Sequence, residues 1–91
     1  MAAQALGART AAAATLVNTI REIKRYQENP NKKKRLLQSK LDKLHKEKDE
    51  LFAKHCFYAD KAALDTQSEE LLNWINPHMD NACDLIDEIE I

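Results

Sequence analysis

Ninety-one residues, 32% of them charged, with one Gly and two Pro, allow a single small domain with a thin core. The few β-branched residues and the lack of an alternating stretch exclude a sheet and point to helix. The net charge of −1 hides a division: residues 1–50 carry a balance of +6 and residues 51–91 a balance of −7.

Such polarity suggests that the basic half folds against the acidic half, or that copies attract head to tail. The pattern favours the intramolecular pairing. No apolar run approaches the roughly 20 residues of a membrane span, so no membrane partner is expected. Cys56 and Cys83 show no scaffold pattern. Without a secretory signal they read as reduced thiols of an intracellular chain, cytoplasmic or nuclear. Arg9 and Arg21 lie in an Ala-rich stretch with no acid before Glu22, which faintly resembles a transit peptide. The Leu-Val-Ile stripe runs on without a cleavage-like break, which favours an ordinary helix.

Met1 to Gly7 reads as frayed. A first helix is predicted over about 8–27, with Ala13, Leu16, Ile20 and Ile23 on one stripe and Arg21, Lys24 and Arg25 suiting the C-terminal dipole. Pro30 disfavours helix at Asn29, so Asn29 is expected to cap a second helix that starts at Pro30. The connection is short, which makes the two helices an antiparallel hairpin.

The second helix is predicted over about 30–63. Leu37, Leu41, Leu44, Lys48, Leu51, His55, Tyr58 and Ala62 recur at 3–4 spacing, with Lys48 and His55 interrupting the apolar stripe. The interruptions favour a short bundle over a strict coiled coil. Thr66-Gln67-Ser68-Glu69 has the capping-box form, so a break is expected ahead of a third helix over about 67–90. Its stripe is Leu72, Ile75, Met79, Ala82, Ile86 and Ile89, flanked by Leu71, Trp74, Cys83 and Leu85. Pro77 is expected to interrupt it, with Asn76 as a cap or with a kink.

Lys32-Lys33-Lys34-Arg35 is the sharpest local feature. Four cations in a row suit nucleic-acid phosphates or a nuclear address, although they oppose the dipole of the helix they begin. The ordinary reading, a solvated hairpin tip, is favoured, and no interleaved aromatics support a stacking platform. His45, His55, His78, Cys56 and Cys83 lack the paired spacing of a metal site. Asp80, Asp84, Asp87, Glu88 and Glu90 lack the Gly of a calcium loop. No Gly-rich turn supports a Cys–His nucleophile, so no catalytic residue, metal or cofactor is expected. Phe52, Phe57 and Trp74 read as core, Phe57 being the best candidate for exposure.

The order "TIREIKRY", a polar turn, "LLQSKLDKLHKEKDELFAKH" and the acidic "LLNWI…MDNACDLIDEIEI" resembles the helical N-terminal region of Gag-type polyproteins from Pao/BEL retrotransposons, over about residues 9–90. The resemblance implies a hairpin that precedes a capsid-like part, with self-assembly or partner binding, also in a domesticated descendant, and no catalysis. The expected fold is all-α: an antiparallel hairpin plus a third, Pro-interrupted helix closing a small bundle. The expected function is a non-catalytic protein-interaction or self-assembly module that uses the stripes as interface, the expected partner being a protein or a second copy. Nucleic-acid binding by Lys32–Arg35 and a helical adaptor or chaperone-like role are the alternatives.

Overall fold

A computed structural model describes residues 2–65 and 68–90 and forms an all-α three-helix bundle. Helix α1 spans Ala2–Gln27, α2 spans Lys34–Lys61 and α3 spans Glu69–Glu90.

Helix α1 starts earlier than the expected residue 8, and the stretch read as frayed is helical from Ala2. Gly7 costs about 1 kcal/mol in a helix interior, but alanines surround it and have the highest helix propensity. Ala5 is buried one turn from the start and ties that end to the bundle.

The turn also differs from expectation. The Asn29 side chain does not cap a helix at Pro30. Its Oδ1 accepts the Asn31 amide at 2.9 Å, closing a local turn. The Lys33 amide donates to the Tyr26 hydroxyl at 2.8 Å. With both groups committed, α2 begins at Lys34, after an extended Lys33 that makes no side-chain cap bond.

Helix α2 ends at Lys61, ahead of the expected residue 63, and the expected break from α3 is present. Ala63 takes a left-handed φ of 56°. Leu64 N–H donates to the Ala59 carbonyl at 2.8 Å and Ala63 N–H to Asp60 at 3.1 Å, the bond pair of a Schellman end. An alanine there bears the steric cost that glycine avoids. The Thr66-Gln67 half of the expected capping box lies outside the described residues. Glu69 and Glu70 form the first turn of α3, where carboxylates suit the dipole.

Pro77 does not interrupt α3, which runs through it. The ring removes one backbone donor, and the carbonyl left over is that of Asn73, four residues back. Asn73 and Pro77 are both exposed, so water can take that carbonyl. On the opposite side, buried Ile75, Ala82, Leu85 and Ile86 hold both halves to one core.

Contacts fix the directions. Arg9, near the start of α1, meets His55 and Tyr58 near the end of α2 and Trp74 near the start of α3. At the other end, Lys40 pairs with Glu22 at 2.6 Å, and Lys24, Gln27, Glu28 and Glu88 line one shallow pocket. Helices α1 and α3 therefore both run antiparallel to α2, in a body of 48 × 22 × 15 Å.

The predicted stripes supply the core. Leu16, Ile23, Leu41, Leu44, Leu51, Ile75 and Ile86 are buried with Ala13, Ala82 and Leu85, while Ile20, Leu37, Met79, Ile89 and Trp74 pack half-buried against them. Tyr58 and Leu72 are also half-buried. Phe52 departs from its expected core place: it is 52% exposed, and Phe57 is 53% exposed. Adjacent helical residues point about 100° apart, so the seam that takes Leu51 and His55 leaves both phenylalanines outside. No helix among the described residues is long and apolar enough to cross a membrane.

Candidate functional site

Two surfaces and one buried cluster carry the chemistry of this bundle. The cluster lies at the end where α1 and α3 begin and α2 finishes. Arg9 is the only charged residue among the first 20, and it turns inward, 7% exposed. It lies four residues before Ala13 on the stripe of α1, so the helical period carries it into the seam.

The Arg9 guanidinium carbon sits 3.8 Å from the Trp74 ring centroid and 4.2 Å from that of Tyr58. Such placement is attractive, because the negative face of each ring meets the cation. Its Nη1 donates to His55 Nδ1 at 3.4 Å, and its Nε has no partner among the described residues. His55 is 2% exposed and stacks on Trp74 at 5.6 Å between centroids, 8° from parallel. His78 meets the edge of Trp74 at 4.8 Å.

Arg9 always carries its proton at neutral pH, so it donates. His55 Nδ1 must then accept, which places the neutral ring's proton on Nε2. Burial pushes the His55 pKa below the ordinary histidine value, and the Arg9 charge pushes it further the same way. Burial also lowers the Arg9 pKa, opposed by Tyr58 and Glu70.

The first surface is the outward face of α1. Ala3, Leu6, Gly7, Thr10, Ala11, Ala14 and Val17 are exposed there and none is charged. Nothing lies within 4 Å of where a Gly7 Cβ would be. Beside this face, Ala8, Ala11, Ala12 and Thr15 form a shallow groove of about 180 Å³ with Glu47, Glu50 and Lys54 of α2. Glu47 is buried at its rim; Lys43 approaches Oε1 at 3.9 Å, and Oε2 has no partner among the described residues.

The second surface is the hairpin tip. Lys32, Lys33, Lys34 and Arg35 are all exposed. Lys32 Nζ donates to the Gln27 carbonyl at 3.1 Å. Lys34 and Arg35 lie over a shallow surface with Gln38, Ser39 and Asp42, on the outer side of α2. The ion pairs Lys40–Glu22 and Lys43–Glu47 fall within the basic half of the chain.

The other sequence candidates are dispersed. Cys56 is half-buried on α2 and Cys83 is exposed on α3. Among the described residues no group of three His, Cys, Asp or Glu side chains is placed to hold a metal. From the sequence, His55 reads as an interruption of the stripe and an unpaired metal candidate and Arg9 as part of a faintly transit-like stretch, while a buried role for Arg9 or Glu47 is not expected. Both were legible by period, since Arg9 precedes Ala13 by four and Glu47 precedes Leu51 by four. Compared with known proteins, this three-helix bundle matches no family model, no curated protein and no solved structure.

Proposed function

We propose that the chain is a non-catalytic helical interaction module that self-associates through the outward face of α1. One observation carries this reading: from Ala3 to Asn18 that face is exposed, made mostly of small or apolar residues with the polar Thr10 and Asn18, and uncharged. The apolar stripes first considered as interface are consumed inside the bundle, which leaves α1 as the uncharged surface. Small residues at Gly7, Ala11 and Ala14 let a second helix approach closely. A self-complementary face suits a two-fold dimer, the commonest symmetry of soluble oligomers.

The strip is about 24 Å long at 1.5 Å per residue, so it offers a few hundred Å² per copy. Stable interfaces bury about 800 Å² per partner. The association is therefore weak and concentration-dependent. The helix and charge order that resembles the Gag N-terminal region is consistent with a role in assembly.

Sedimentation velocity over a concentration series checks the reading. The average mass should rise toward the dimer as concentration approaches about 1 mM, the range of the weakest specific associations. Ala14→Glu should hold the chain monomeric with unchanged helix content, because its side chain is exposed and the new charges oppose each other across the two-fold. A wild-type chain that stays monomeric throughout ends the proposal.

The second reading, nucleic-acid binding at the tip, is favoured by the exposure of all four cations from Lys32 to Arg35. Each phosphate neutralised by a cation contributes close to one to the slope of log affinity against log salt. Replacing the four by alanine should flatten that slope by up to about 3.6 on duplex DNA. An unchanged slope removes the tip from consideration.

A further inference from the structure

We propose that His55 is an acid-responsive latch: its protonation places a second cation 3.4 Å from the buried Arg9 guanidinium and loosens the N-terminal part of α1 from the end of α2.

The geometry is specific. His55 accepts from Arg9 only while it is neutral, since an imidazolium has two donors and no acceptor. It is 2% exposed, so water cannot screen the new charge. The groups that face it come from every element. Helix α1 presents Arg9, which also lies over the Tyr58 ring of α2, and α3 presents the Trp74 ring with His78 at its edge. Glu70, at the start of α3, is exposed and favours the Arg9 charge. A proton on His55 thus has a fixed cation against it and two ring faces already turned to Arg9.

The sign of the pH dependence follows. Burial and Arg9 both hold the His55 pKa in the closed bundle below its ordinary value. The open form then binds more protons, and the closed form is stable above about pH 6.5. As pH falls from there toward the lowered pKa, closure weakens tenfold per unit for one proton. The opening is local, because Arg9 and His55 lie where α1 begins and α2 finishes, at the opposite end of the bundle from Ile23 and Ile86.

Hydrogen exchange tests it between about pH 6.5 and 5, above the ordinary carboxylate range. Protection factors of the Arg9, Ala12 and Ala13 amides should fall as pH drops, by up to about tenfold per unit for one proton, and those of Leu85 and Ile86 should change less. His55→Gln, neutral throughout, should abolish the slope, and His78→Gln should retain it. A slope that survives His55→Gln, or that vanishes with His78→Gln, overturns the latch.

If His55→Gln does not fold, nitrogen-detected titration of the wild-type imidazoles decides. The expected result is an Nε2–H tautomer at pH 7 and a His55 titration below the ordinary value of about 6.5. An Nδ1–H tautomer, or titration at or above that value, overturns the proposal.

Discussion

Leu44→Ala is expected to lower the stability of the bundle by about 3 kcal/mol, the middle of the range for removing a fully buried leucine. Leu44 is completely buried within the core that the three helices share. Part of the loss is the transfer free energy of the deleted carbons, and the rest is the cavity that rigid helices cannot close. A domain of this size has about 5–10 kcal/mol in total. The variant should therefore lose roughly a third or more of its stability, and its Tm should drop by more than 10 °C or so. Phe57→Ala removes a larger side chain and should cost under about 0.5 kcal/mol, because Phe57 is half exposed, with the Lys61 ammonium 5.2 Å from its ring. Urea unfolding of both variants checks the contrast. Equal losses would mean that the seam does not run where the burial places it.

That contrast shows where the sequence was readable. Leu16, Leu41, Leu51 and Ile86 announce themselves by period, since a helix can bury only one stripe and these residues define it. Phe52 looked like core by its chemistry, yet its neighbour Leu51 already held the inward position. Composition misled there and phase was correct.

The element ends were less readable, for a physical reason in each case. Pro30 and Asn29 satisfy the rules for a helix start, but the Tyr26 hydroxyl reaches the Lys33 amide from seven residues away, a tertiary bond that no local rule contains. Pro77 satisfies the rules for a break, but packing on one side and solvent on the other hold the helix through it. Ala63 ends α2 in a conformation that usually marks glycine, so nothing in its identity signalled the stop.

The Arg9 cluster was the least legible part, because its value depends on three helices meeting. Taken alone, an arginine in an alanine-rich stretch suggests a solvated or targeting residue. The inward period of α1 and the aromatic pair Tyr58 and Trp74, 16 positions apart, turn it into a buried cation between rings. The uncharged outward face of α1 is the other side of the same fact, since the one charge available to that stretch is used inside.

Arg9→Ala is accordingly expected to cost about 2–4 kcal/mol. Two cation–π contacts contribute about 1–2 kcal/mol each when desolvated, and the lost stem leaves unfilled space beside Ala5 and Ala13. Arg9→Met separates the two causes. A thioether keeps much of the volume and still favours aromatic rings, while it removes the Nε that has no partner among the described residues. Replacing a buried charge by a well-packed apolar group is often neutral or stabilising. Arg9→Met should therefore recover more than half of the loss. It should also let the His55 pKa move back toward the ordinary range, because the cation that opposes imidazolium is gone. Urea unfolding at pH 7.5, repeated at pH 5.5, reads both effects: Arg9→Ala should be the weakest of the three chains at the higher pH, and Arg9→Met should lose less stability than wild type between the two. If Arg9→Ala unfolds at the wild-type urea concentration, the guanidinium between the two rings contributes nothing, and the cohesion of that end must come from the alanine and leucine contacts alone.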